Sequence, residues 1–104
     1  MPSHVLVVSE WLSKENSDQK LFESFKKLAS LTLEKEKGCI KYHVTRQISH
    51  PAAKGDSKYT LLLIQEYVNL EAFDLHCQSE HVADFVKNHL DIVEDWRCRV
   101  FSEE

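Results

Sequence analysis

The chain has 104 residues and a formal net charge of -4, with 42% hydrophobic and 29% charged residues, the balance of a globular rather than a disordered protein. That length suits a single domain over residues 1–104 with a modest core, which added burial between two copies would reinforce. No block of basic residues supplies the concentrated positive field that nucleic acid requires, and no segment approaches the ~20 apolar residues that span a bilayer. The N-terminus lacks the basic flank, apolar run and small-residue cleavage site of a secretory signal. Cys39, Cys77 and Cys98 are odd in number and widely spaced, so they read as reduced thiols of a cytoplasmic protein rather than as a disulfide or zinc framework.

In chain order, HVLVVSEWL (4–12) predicts a first strand with apolar residues on both faces. A helix is expected from about Ser17 to Lys37, capped by Asn16 or Ser17, with Leu21, Phe25, Leu28, Ala29 and Leu33 as its apolar stripe. Lys26, Lys27, Lys35 and Lys37, interleaved with Glu23, Glu34 and Glu36, read as its solvated face, and Gly38 as a left-handed cap. CIKYHVTRQI (39–48) predicts a second strand with Ile40, Tyr42, Val44 and Ile48 on one side and Lys41, His43, Thr45 and Gln47 on the other. A loop with Pro51 and Gly55 leads to a third strand, YTLLLIQEYV (59–68), again apolar on both faces. Asn69 caps a short helix through His76, Ser79 caps another to about Glu94, and WRCRVF (96–101) closes the chain as a strand.

The order β-α-β-β-α-β is the split βαβ motif, an α+β, ferredoxin-like arrangement with a four-stranded antiparallel sheet. In that arrangement the first and third strands lie in the middle, which agrees with their being apolar on both faces. The helices of so short a chain cover only one face of the sheet. The other face therefore calls for a partner, and a homodimer through sheet faces is expected.

His76 and His81 flank the break between the last two helices, where a turn sets their separation; they read either as two rings facing one cavity beside the third strand or as surface or capping histidines at the junction. Imidazole titrates near neutrality and serves as a general base or as a donor to a developing oxyanion. A metal centre from His76, His81, Glu80 or the more distant His89 matches no standard ligand spacing, so none is expected. Trp11, Tyr42, Tyr67, Phe73 and Phe85 offer the walls of an apolar pocket, with Gln65 as a polar feature. With only Gly38 and Gly55 in the chain, Gly-rich phosphate loops are excluded, and no nucleophile elbow is present.

The sequence resembles the antibiotic biosynthesis monooxygenase family, a branch of the dimeric α+β barrels. Gly38, Cys39 and Tyr42 match its Gly-Cys and Tyr at the second strand. QEYVNLEAFDLHCQSEH (65–81) matches its third strand and following helix, with Tyr67, Ala72, His76, Ser79 and His81 in register. The chain departs from the family where a strand Glu is replaced by Gln65 and where the Pro before the second His is Glu80. Glu66 lies one residue on and belongs to the opposite face unless a bulge re-registers the strand. The resemblance implies oxidation of a small electron-rich aromatic such as a quinol, without a cofactor. In that reading His81 is the base, His76 a second polar contact and Gln65 an orienting amide, while Tyr42, Tyr67, Phe73, Phe85 and Trp11 are walls. Relatives that isomerise or degrade small phosphorylated signalling sugars, and non-catalytic small-molecule-binding modules, are the alternatives. Lys41, Arg46 and Arg97 are the cations available to such a phosphate. Relatives that degrade haem rely on a first-strand Asn that this chain lacks.

Overall fold

The computed structural model describes residues 4–104. Its elements are β1 (His4–Ser13), α1 (Asp18–Lys35), β2 (Cys39–Arg46), β3 (Leu61–Tyr67), α2 (Leu70–Cys77), α3 (Glu80–His89), a 3-10 turn (Leu90–Ile92) and β4 (Val93–Glu103). The sheet runs β2-β3-β1-β4, every neighbouring pair antiparallel, so the doubly apolar strands are central as their composition requires. This is the expected ferredoxin-like architecture, with the second helical segment broken into two by the turn at Gln78 and Ser79.

Strand alternation divides each central strand between two environments. Val5, Val7 and Ser9 of β1 and Leu61, Leu63, Gln65 and Tyr67 of β3 are buried beneath the helices, beside Leu21, Phe25, Leu28 and Ala29 of α1. Leu6, Val8, Leu62 and Ile64 form the half-buried opposite face. Glu10, bonded to Arg97 and Arg99, and Glu66, bonded to His4, border that face.

Several local expectations are corrected. Thr32, not Leu33, completes the buried stripe of α1, and Leu33 is 44% exposed. In a 3.6-residue helix Thr32 lies four residues beyond Leu28, on the row that faces the sheet. Gly38 does not take up a left-handed conformation; Glu36 ends the helix in extended conformation, its N–H donating to the Thr32 carbonyl. What Gly38 provides is space, since a Cβ there would lie 2.6 Å from the Cβ of Ala72 on α2.

The third correction concerns β2. Cys39 pairs with Tyr67 and Lys41 with Glu66, so Ile40 is an extra residue in the strand. This bulge turns Ile40 out to 37% exposure and places Cys39 on the same buried side as Tyr42. Finally, α3 stops at His89 rather than near Glu94, and β4 begins three residues before Trp96. The cap expectation fails for α1, where Ser17 makes no side-chain cap hydrogen bond, and holds for α2 and α3. Asn69 accepts from the Ala72 N–H at 2.8 Å, and Ser79 accepts from Val82.

Candidate functional site

The helices stand off the sheet enough to leave a cavity of about 320 Å³ between α1, α2, α3 and the strands. Its walls are mainly apolar and aromatic. Trp11 meets Phe25 at a ring distance of 4.8 Å, Phe25 stacks on Phe85 at 4.7 Å, and Phe85 stacks on His89 at 4.3 Å. Trp96 of β4 stacks on Trp11 at 5.1 Å. Trp96, Val86 and Leu90 line the cavity yet remain half exposed, so they mark its mouth.

The polar centre is built by three segments that converge on one carboxylate. Glu36 is the residue where α1 ends, and its side chain turns inward to 14% exposure. Its Oε2 accepts from Nδ1 of His76 at 2.8 Å and from Nε2 of His81. Both imidazoles are buried, with side-chain exposures of 7% and 9%. A carboxylate can only accept, so each ring carries a proton on the bonded nitrogen. The free nitrogens are therefore Nε2 of His76 and Nδ1 of His81. The two Nδ1/Nε2 atoms and the Glu36 oxygen lie within 4.8 Å of one another, a spacing open to a cation, but the hydrogen bonds already satisfy all three.

Burial pushes the His76 pKa below its ordinary 6.5, the attraction of Glu36 offsetting this only in part and His81 adding a smaller repulsion. The ring is thus neutral at neutral pH, with Nε2 bare. Around it lie Tyr67 at 5.4 Å and Tyr42 and Phe73 at 6.2 Å between ring centres. Burial also raises the hydroxyl pKa values of Tyr42 and Tyr67, so both remain protonated. The Cys39 thiol is pushed up to about 11, again chiefly by burial, which makes it a poor nucleophile.

Of the residues singled out from the sequence, Trp11, Tyr42, Gln65, Phe73, Phe85 and His76 line the cavity. Tyr67 and His81 stand behind its wall. Tyr67 donates its hydroxyl to Oε1 of Gln65 at 2.5 Å, and His81 shares Glu36 with His76. No bulge re-registers β3 against β1, so Gln65 faces the cavity and Glu66 faces away toward His4. A carboxylate nonetheless reaches the site, and it comes from Glu36. Sequence reasoning had assigned this residue to a solvated lysine-rich face. Its one distinguishing signal was position, at the end of the helix and two residues before Gly38. Lys41 and Arg97 project from the other face or the rim, and Arg46 binds Asp18 at 2.9 Å and lies over Phe22. Among the described residues the cavity lining has no lysine or arginine.

A model of the antibiotic biosynthesis monooxygenase family matches residues 4–88. The chain belongs to that family. The match to the monooxygenase family takes in Glu36, Gln65, His76 and His81 and stops one residue before His89. Among solved structures, a Shewanella oneidensis protein is 22% identical, with a TM-score of 0.82 over 99% of this chain and 93% of its own. A Methanosarcina mazei protein is 21% identical, with a TM-score of 0.81 over 98% and 94%. A Bacteroides fragilis protein, described as dimeric and ferredoxin-like, is 14% identical, with a TM-score of 0.79 over 96% of both chains. At these identities the likeness is one of fold. No curated protein matches the chain.

Proposed function

We propose that the protein oxidises a small, electron-rich aromatic hydroxyl compound of the quinol type, with no cofactor in the reaction. The observation that carries this reading is a neutral imidazole, His76, lining an aromatic cavity with its far nitrogen held by the partly buried carboxylate of Glu36. The base role expected of His81 passes to His76, because His76 is the ring that lines the cavity. Nε2 of His76 accepts a phenolic proton, and Glu36 stabilises the imidazolium that forms, with His81 holding the carboxylate in place. Deprotonation makes the substrate itself the reductant. Two electrons and two protons then pass from the quinol to oxygen, giving the quinone and hydrogen peroxide, or one oxygen atom enters the ring and the other leaves as water. An apolar, cation-free lining favours a neutral aromatic over a phosphorylated sugar, whose charge would find no partner there.

The open sheet face supports a homodimer as the working form, in line with the dimer described for the Bacteroides fragilis protein. Leu6, Val8, Leu62 and Ile64 are contiguous across the two central strands, and the ion pairs around them suit the rim of an interface.

Oxygen uptake by chelator-treated protein with naphthoquinols, corrected for autoxidation, tests the reaction. Saturable uptake is expected, reduced 10²–10⁴-fold in His76→Ala, the range of a lost general base. Glu36→Gln lowers kcat more than KM, since it removes the charge that favours the imidazolium. Uptake no faster than autoxidation, or full activity in His76→Ala, overturns the proposal.

A further inference from the structure

His89 lies beyond the family-matched residues, at the last position of α3, and it lines the cavity with Phe85. Its Nδ1 is 2.9 Å from the carbonyl oxygen of Phe85, four residues back in the same helix. A carbonyl oxygen only accepts, so Nδ1 carries a proton, and in the neutral ring Nε2 is the acceptor. The ring cannot turn over to reverse this without losing that bond, and its stacking on Phe85 at 4.3 Å holds the plane. The neutral His89 ring is therefore an oriented hydrogen-bond acceptor in a largely apolar wall.

The amide of Gln65 is fixed in the same way. Tyr67 donates to Oε1 of Gln65, which leaves the amide N–H groups of Gln65 as donors. Gln65 and His76 both adjoin Tyr67, so donor and base belong to one end of the cavity. His89 belongs to the other end, since it lies eight residues, about 12 Å of helix, beyond His81. A flat ring system with a hydrogen bond of about 2.8 Å at each end spans such a distance.

We propose that His89 is a specificity-determining residue, whose Nε2 accepts a hydrogen bond from a second hydroxyl at the end of the ligand remote from His76. This rests on the reading of the cavity as an aromatic-alcohol site and adds a requirement to it. A ligand whose remote oxygen has no proton leaves Nε2 desolvated and unpaired, and binds more weakly.

The test measures binding, not turnover. Under anaerobic conditions the wild-type protein, His89→Phe and His89→Gln are titrated calorimetrically with 1,4-dihydroxynaphthalene and with 4-methoxy-1-naphthol, which lacks one hydroxyl proton. Wild type is expected to prefer the diol about tenfold, the scale of one hydrogen bond. His89→Phe keeps a ring to stack on Phe85 and loses the preference, while its affinity for the methyl ether stays within a factor of two, which also reports that it is folded. His89→Gln, with an acceptor oxygen, regains part of the preference. Equal affinities in wild type, or a preference that survives in His89→Phe, overturn the proposal. Failure of both ligands to bind wild type overturns it together with the oxidation reading. A diol preference that depends on His89 in a protein with no oxygen uptake overturns the oxidation reading alone. Uptake without any diol preference overturns only the role of His89.

Discussion

Glu36 and His76 show how far a residue's role depends on where its chain segment ends. Within a helix, a glutamate among lysines is a solvated charge. One residue past the last turn, its side chain swings under α2 and becomes the shared acceptor of two buried imidazoles. The histidines were legible because a helix break at HCQSEH brings two rings together by local geometry. Glu36 was not, since its partners lie 40 and 45 residues away. The burial of His76 has a measurable consequence. The ring titrates at about 6.5 in the unfolded chain and lower in the folded protein, so between those values the unfolded state binds more protons. Stability therefore rises with pH through that window and is lost as pH falls below 6.5. Chemical denaturation from pH 5 to pH 7 should show a steeper loss of stability on acidification in wild type than in His76→Asn. Equal slopes would mean that burial does not depress the His76 pKa. Activity, which needs the neutral ring, should likewise keep its acid limb below pH 6.5.

At the scale of elements, the position of α2 decides whether the site forms. Strand and helix types follow from periodicity, and the caps at Asn69 and Ser79 follow from side-chain chemistry, so these were readable in advance. The contact of Gly38 with Ala72 was not readable, because a glycine after a helix has a commoner explanation in its backbone freedom. With the Ala72 Cβ 2.6 Å from where a side chain at Gly38 would begin, Gly38→Ala pushes against α2 and shifts it on the sheet. Such overpacking costs typically about 1–3 kcal/mol, which thermal or chemical denaturation would detect. Because α2 carries His76, quinol affinity or turnover should fall in the same variant. A compensating Ala72→Gly should restore both. Restored stability without restored function would show that the Gly38–Ala72 contact is separate from the site.

At the scale of the whole molecule, the two faces of the sheet have different tasks. One holds the core and the cavity; the other presents Leu6, Val8, Leu62 and Ile64 within a rim of ion pairs. The apolar excess of the central strands was visible in sequence, as was the need to cover it. Val8 and Ile64 are direct cross-strand partners at the middle of that face. Ile64→Glu opposite Val8 buries an unpaired charge in any sheet-on-sheet dimer while leaving the helix-covered core intact. Sedimentation of wild type is expected to show a dimer, and of the variant a monomer with a folded circular dichroism spectrum. A wild-type monomer at micromolar concentration would rule out the sheet-face dimer.

The bulge at Ile40 sets the phase between the end of α1 and the rest of β2. Residues on its C-terminal side follow the ordinary alternation, while Cys39, three residues before Tyr42, shares its inward face because Ile40 stands outside the pairing. Ile40 itself is partly exposed, so most replacements there should be tolerated and the position should look unimportant in a substitution scan. Removal of the same codon would leave the strand regularly paired, with Cys39 two residues before Tyr42 on the same inward face and still opposite Tyr67. The surplus residue can thus be lost without changing which side chains face the site. A library of single-residue deletions should tolerate the loss of Ile40 better than a loss inside β3, where one missing residue turns every side chain on one side of the gap to the other face.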